Sequence, residues 1–448
     1  MKESNNTLYL GTFNSELFWK ELGFSELPSI SDLQSDNVLS VLDELQFAFC
    51  ANSNDVLITR LPFDQFHKEY LCLLGFEFKS NDVQPKNEKG SGVASICDLI
   101  SGSQNLEYFR GLTSSINSFS PYSILPESEL LLQKLQLENS IPSIEIVKKV
   151  NSKVFSTLLS KEIGGIKKEE LAYSSEYLLR IGKEMLSSSH VLIKDPMGVS
   201  GKGNMLINSE KLLSRICSHI QKQEQNGKKT CFVIESLLNK KADFSTQLLI
   251  DKSGEIKLVT VQVMRNNGFA FSGIQTSDSK FLSFLNKTEY FKQVEWIGRE
   301  IYKEGYFGPV CIDSMVDQDD NVIPIIEINA RKSMGLINYA IDQHLANFSV
   351  KGNLMYLSLI LKNKISFEKL LNRLDELGIL FTSQNNLGIL PLSANAININ
   401  VGDNVTDSMS CKGRFYFSLI AKDNEEKKDE LLSKLNFAFN EFNIKVVN

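Results

Sequence analysis

Apolar residues along the chain recur with two periods, and the switches between them mark out the elements. In the first third, Leu8-Tyr9-Leu10 and Val56-Leu57-Ile58-Thr59 are short apolar runs of strand length, the second stopped by Pro62. Val38 to Phe49 carries helical spacing, and Phe63 to Leu74 reads as a helix closed by Gly75. Ser80 to Gly92 and Thr113 to Pro121 are polar stretches that read as loops. This alternation predicts an α/β unit over residues 1–145.

After Ile144 the pattern changes. Ser152 caps a predicted helix through Val154, Phe155, Leu158 and Leu159, ended by Gly164-Gly165. Val191-Leu192-Ile193 is a strand running into Gly198-Val199-Ser200-Gly201-Lys202-Gly203. A helix at about Ser209 to Gln223 and a strand at Cys231 to Ile234 follow. An antiparallel meander then runs from Phe244 to Ile250, turns at Lys252-Ser253-Gly254, and continues as Ile256 to Val263. Asn267-Gly268 is a hairpin signal leading into Phe269 to Phe271. After a helix at about Tyr290 to Glu304, Val310 to Val316 and Val322 to Ala330 predict a last hairpin, closing the segment 146–350. Residues 351–448, with a buried strand at Gly413 to Ala421 and an amphipathic helix from Asn424 to Phe442, predict a separate small α/β domain. The fold class is therefore α/β and α+β, multidomain.

Composition narrows the function classes. A chain of 448 residues exceeds one compact core, so two to three domains are expected. At 42% hydrophobic and 23% charged the composition is that of a globular protein. The net charge of −6 counts against a dedicated nucleic-acid binder, although a local basic pocket stays open. The seven cysteines are scattered singly and read as buried, reduced thiols. Four histidines, none spaced like zinc ligands, offer no zinc site. With neither an apolar signal core nor an apolar run of bilayer length, a soluble, cytoplasmic protein with no membrane partner is expected.

Four groups of residues carry candidate chemistry. Lys194 ends a strand at the start of the glycine-rich loop, where a cation and closely approaching backbone N–H groups suit phosphate oxygens. The spacing is not that of a Walker A loop, and an ordinary surface turn is an equal reading. Glu235 closes the strand Cys231-Phe232-Val233-Ile234, with Ser236-Leu237-Leu238 behind it and Asp243 eight residues on. Such a strand edge can offer an adenine its backbone and a ribose a carboxylate, while solvated acids are the plainer alternative. Glu327, Asn329 and Arg331 alternate along one strand and so share a face, and any even-sum register of the hairpin brings Asp313 to it. Two carboxylates and an amide oxygen there are what Mg²⁺ ions bridging a polyphosphate need. Arg331-Lys332-Ser333-Met334-Gly335 then offers a cation and a small-residue turn to a transferring phosphoryl group and a carboxylate. In the meander, Gln262 and Arg265 read as a cross-strand polar pair or as substrate contacts.

Taken in order, these segments resemble the ATP-grasp superfamily. They are Asn151-Ser152-Lys153, Val191 to Pro196, the glycine loop, Phe232 to Glu235, Ala242-Asp243-Phe244-Ser245, Gly308 to Asp313 and Glu327-Ile328-Asn329-Ala330-Arg331. More narrowly, Glu327 to Gly335, Leu61-Pro62-Phe63-Asp64 and Gly413-Arg414-Phe415-Tyr416-Phe417 are similar to pheganomycin-type peptide ligases and the butirosin carrier-protein glutamate ligase. The resemblance implies a Rossmann-like pre-ATP-grasp domain, a two-lobed ATP-grasp domain and a C-terminal extension. It implies ATP phosphate contacts from Lys153 and Lys194, with Gly198, Ser200, Gly201, Lys202 and Gly203 folded over them. Glu235, Ser236 and Leu238 would lie at the adenine and Asp243 on the ribose. Two Mg²⁺ ions would sit on Asp313, Glu327 and Asn329. Arg331, with Lys194, would act on the transferring phosphoryl group, and Ser333 and Gly335 near the substrate. The loop departs from the family's shorter form beginning Lys-Pro.

The resemblance also implies the reaction: a carboxylate phosphorylated by ATP and captured by an amine or peptide to give an amide, with a homodimer common in the superfamily. A carrier-protein thiol as acceptor, a kinase that stops at phosphoryl transfer, and a nucleotide-binding regulator are the alternatives. The glycine loop and the meander around Asn267-Gly268 are candidate lids over a hydrolysable acyl phosphate.

Overall fold

The computed structural model describes residues 6–86, 94–164, 167–198, 203–267, 270–402, 410–421 and 424–447. Near the N-terminus, β1 (Thr7–Tyr9), β2 (Val56–Leu57), β3 (Lys79–Ser80) and β4 (Ser118–Phe119) form a parallel sheet in the order β3-β2-β1-β4. Leu8, Leu10, Val56 and Ile58 are fully buried in it, against Ile96, Ile100 and Phe109 of the flanking helices. The stretch Thr113 to Pro121, expected as loop, supplies β4.

Val38 to Phe49 is not one helix. An α-helix Leu33–Ser40 stops and a 3₁₀ helix Leu42–Phe49 follows. Burial on every side explains the change: Asp43, Glu44 and Gln46 are as buried as Leu45 and Phe47. Asp43 accepts from the Arg60 backbone N–H, while Glu44 accepts from those of Ala394, Asn395 and Ala396. Contacts with two distant segments override the local period.

A second, antiparallel sheet runs β5-β8-β6-β7, from β5 (Glu169–Ala172), β6 (Val191–Lys194), β7 (Asn204–Ile207) and β8 (Phe232–Ser236). Helices Ser175–Leu186 and Glu210–Gln225 bury Leu178, Leu213 and Ile220 with Ile193 and Ile234 of this sheet. Gly182 permits the approach, because a Cβ there would lie 2.8 Å from a Leu213 methyl.

The third sheet holds nine strands. They are β9 (Lys240–Ile250), β10 (Ile256–Asn267), β11 (Ala270–Thr276), β12 (Gly308–Asp317), β13 (Val322–Asn329), β14 (Asn353–Leu361), β15 (Gly388–Pro391), β16 (Cys411–Ile420) and β17 (Lys445–Val447). Their order is β13-β12-β9-β10-β11-β14-β16-β15, with β17 also on β14. One face carries Phe244, Ile312 and Ile328 and packs on helices Lys153–Glu162 and Tyr290–Lys303. Helix Met334–Leu345 covers part of the other face, meeting Ile274 and Leu354.

The segment 351–448, expected as separate, shares this sheet: β11 pairs with β14 at Gly273↔Met355 and Ile274↔Leu354. That pairing closes what would otherwise be an open strand edge. All seven cysteines are free; Cys97, Cys217, Cys311 and Cys411 are buried as expected, whereas Cys72 is exposed. No described helix is long and apolar enough to cross a membrane.

Candidate functional site

One wall is set by strand register. β12 and β13 pair Cys311↔Asn329, Ile312↔Ile328 and Asp313↔Glu327. Side chains alternate, so Asp313, Glu327 and Asn329 leave the core face together. Asn329 Nδ2 donates to Asp313 Oδ2 at 3.0 Å. Arg331, next on that face, donates to Asn329 Oδ1 at 3.1 Å and pairs with Glu16 of the N-terminal unit at 2.6 Å.

The same logic builds the opposite wall from the second sheet. Glu235 lies across from Leu192 on one side and Glu169 on the other, and Lys194 is two residues beyond Leu192. All therefore share a face. Lys194 pairs with Glu235 at 2.5 Å, and Lys167 pairs with both Glu235 and Glu169 at 2.9 Å. Burial opposes ionisation of Glu235, but the two ammonium groups outweigh it and hold the carboxyl down at about 2. Lys194 is lowered from the usual lysine range, chiefly by burial. Lys153 ties the walls together, donating to Glu327 at 2.7 Å and to the Gly198 carbonyl at 2.6 Å.

Between the walls is a cavity of about 670 Å³ lined by Lys167, Lys194, Gly198, Glu235, Ser236, Leu238, Asp243, Asp313 and Glu327, among others. Its anionic side is compensated unevenly. Glu327 is lowered, burial being outweighed by Lys153 and, further off, Lys194 and Arg331. Asp313 is pushed up to about 7 by burial and by the Glu327 carboxylate beside it. A cation would relieve that strain, and oxygen donors suit a hard one such as Mg²⁺. The described residues contain no cluster of three or more His, Cys, Asp or Glu ligands. Two carboxylates with an amide fit Mg²⁺, which keeps waters and phosphate oxygens in much of its shell.

The other expected residues divide. Gly203 takes φ +90°, and a Cβ there would lie 2.9 Å from the Gly198 Cα. Ser200, Gly201 and Lys202 lie outside the described residues, as do Gly268 and Phe269 of the meander. Asp243 lines the cavity and accepts from Lys240 at 2.7 Å. Glu235 is aligned with the adenine by the resemblance, yet its carboxylate is held between two lysines, so a contact with the base would come from its backbone. Ser333 caps helix Met334–Leu345, accepting from the Leu336 N–H and donating to Gln247 Oε1 at 2.6 Å. Gly335 packs on the Gln247 amide, and neither residue lines the cavity. Gln262 bonds Thr276 across the strands and Asn338, and Arg265 reaches Gln275 at 3.4 Å.

Sequence reasoning missed Lys167 and Glu169, whose Lys-Lys-Glu-Glu run looks solvated, and Glu16, which stands in no motif. It named Lys332 only as part of a cationic turn. That lysine is buried over the Tyr9 and Phe49 rings, donates to the Ser120 carbonyl at 2.7 Å, and burial lowers it to about 7.

Residues 170–336 match the family model of the carbamoyl-phosphate synthase L chain, ATP binding domain. The chain is 26% identical over 318 residues to a [butirosin acyl-carrier protein]–L-glutamate ligase from Niallia circulans, covering 68% of this chain and 67% of that one. Among solved structures it shares its fold with an N5-carboxyaminoimidazole synthetase from Staphylococcus aureus complexed with ADP. That match has a TM-score of 0.52 at 13% identity, over 97% of this chain and 98% of the other. Biotin carboxylase from Campylobacter jejuni, in an ATP complex, gives a TM-score of 0.52 at 12% identity over 99% and 92%. Over residues 170–336 the chain thus matches that ATP-binding domain, and as a whole it shares the fold of these ADP- and ATP-complexed enzymes.

Proposed function

We propose that the chain is an ADP-forming carboxylate–amine ligase that works through an acyl phosphate in a biosynthetic reaction. The observation that carries the reading is the pairing of walls: Asp313, Glu327 and Asn329 on one side, Lys194 and Lys153 on the other, with Arg331 at the end of the acidic row. Such walls would hold a nucleotide's polyphosphate between the lysines and the acidic row, with metal ions on the latter. Asp313, Glu327 and Asn329 would hold two Mg²⁺ ions, whose chemistry is neutralisation of the polyphosphate charge. Lys194 and Lys153 bind phosphate oxygens, and Arg331 stabilises charge on the group in transfer. The substrate carboxylate oxygen takes the γ-phosphoryl group as ADP leaves. The amine nitrogen then bonds to the acyl carbon, phosphate departs, and the amine proton is lost to solvent.

Residues 1–145, 146–350 and 351–448 serve in this reading as substrate-side unit, ATP-grasp unit and extension. A thiol acceptor is the second reading, favoured by the relative's name as an acyl-carrier-protein ligase. The test is an ATP-consumption screen over amino acids, short peptides and carrier proteins, with products identified by mass. ADP accumulating without any amide or thioester would sink the ligase reading.

A further inference from the structure

The chain leaving β13 is tied to the N-terminal unit. Lys332 donates its backbone N–H to the Tyr122 carbonyl at 2.9 Å and its ammonium to the Ser120 carbonyl at 2.7 Å. Arg331 turns its guanidinium to Glu16, whose Oε1 accepts from Nε at 3.2 Å and from Nη2 at 2.6 Å. These partners all stand beyond the carboxyl ends of β1 and β4. In the order β3-β2-β1-β4 the topological switch falls between those two strands, where open α/β sheets take their ligands.

Three observations give Glu16 more than a packing role. The first is the strength of its hold. Arg331 also donates to Asn329 Oδ1 at 3.1 Å and to the Lys332 carbonyl at 3.2 Å, but both acceptors are neutral. Hydrogen bonds between two charged groups are about twice as strong, so Glu16 dominates the orientation. The second is the rigidity of what holds it. Ser15 donates to the Thr12 carbonyl at 2.6 Å, and the buried Trp19 donates to the Ile124 carbonyl at 2.8 Å. The Tyr122 N–H donates to the Leu10 carbonyl at 2.8 Å, so the turn carrying Glu16 is fastened to the segment after β4. The third is burial. The side chains of Arg331 and Glu16 are only 13% and 9% exposed. A well-packed apolar pair often serves stability as well as a buried ion pair does, so the charges point beyond packing.

We propose that Glu16 is a positioning residue for phosphoryl transfer: from the N-terminal unit it holds the Arg331 guanidinium in place at the end of the acidic row. The inference rests on the ligase reading and deepens it, because the N-terminal unit then governs the rate of transfer. Glu16 does not line the nucleotide cavity, so loss of its charge acts on transfer and leaves nucleotide affinity alone. Misplacing a catalytic group by about 1 Å is enough to cost about 100-fold in rate.

The test compares Glu16→Gln and Glu16→Asp with wild type in the full chain, with Mg-ATP and an equimolar mixture of the standard amino acids as the probe. Glu16→Gln lowers kcat at least about tenfold and leaves the KM for ATP within about twofold. Glu16→Asp, which keeps the charge, loses less. Heteronuclear NMR follows the Arg331 Nε–H, assigned by its disappearance in Arg331→Lys. It exchanges with water at least about tenfold faster in Glu16→Gln than in wild type. An unchanged kcat overturns the inference, and so does a KM that rises in step with the fall in kcat. An Asp variant no better than Gln, or an Nε–H as protected as in wild type, overturns it too. If circular dichroism finds Glu16→Gln unfolded, Glu16→Asp decides: a kcat lowered at constant KM supports the tether, while an unchanged kcat or a shifted KM overturns it. Wild type that consumes no ATP with this mixture would strike the ligase reading instead. The Nε–H exchange still reports whether Glu16 holds Arg331, which keeps the two failures apart.

Discussion

Glu235→Gln separates two roles for one carboxylate. If Glu235 pins the lysines of the nucleotide cavity, neutralising it leaves Lys194 buried without the carboxylate it now pairs with at 2.5 Å; if it contacts the nucleotide, the free protein hardly notices. Lys167 keeps Glu169 at 2.9 Å, so the cost falls on Lys194. Two routes give its size. Removing one partner of a buried ion pair costs about 3–5 kcal/mol. A folded-state value of about 2 against an ordinary 4.5 corresponds to about 3 kcal/mol of stability from ionised Glu235. Because the folded value is the lower one, this contribution is complete above pH 4.5 and disappears as the pH falls toward about 2. Urea unfolding at pH 7 therefore finds the variant about 3 kcal/mol less stable. The gap between wild type and variant closes as the pH is lowered from about 4.5 to about 2, since protonation deprives the wild type of the same charge. A variant within about 0.5 kcal/mol of wild type at pH 7, with ATP affinity nonetheless lost, would refute the pinning argument.

Three further perturbations follow from the same geometry. Asp313→Asn lowers ATP turnover by more than about 100-fold, the loss reached even by changes behind a metal ligand, while thermal unfolding in metal-free buffer finds it no less stable, because its carboxylate is already pushed up to about 7 by burial and Glu327. Gly335→Ala sets a methyl 2.7 Å from Gln247 Nε2, and Gln247 is buried and held by Ser333; chemical denaturation finds about 1–3 kcal/mol lost. Ser333→Ala removes a helix cap for about 1 kcal/mol in the same assay and leaves the KM for ATP unchanged, whereas a changed KM would return Ser333 to the substrate site.

What the sequence disclosed and what it hid have a common physical cause. Asp313, Glu327 and Asn329 were legible because a hairpin has a fixed period, and parity alone brings them to one face; the register Asp313↔Glu327 satisfies it. The meander and the helix Tyr290–Lys303 were legible for the same reason, their periods being local. Lys167 and Glu169 were not, because their meaning arises only when β5 lies beside β8 and carries them to Lys194 and Glu235. Glu16 is farther still, 315 residues from the Arg331 it pairs with. The break in Val38 to Phe49 belongs with these, since the backbone donors that Glu44 accepts come from residues 394–396. Local period thus reveals the carboxylates that would hold metal, while the cations and counter-charges opposite them come from elements brought together by the tertiary fold. It follows that changes to the acidic row act on turnover first. Changes to the lysine–glutamate wall act on folding stability as well, since those buried charges pair with one another.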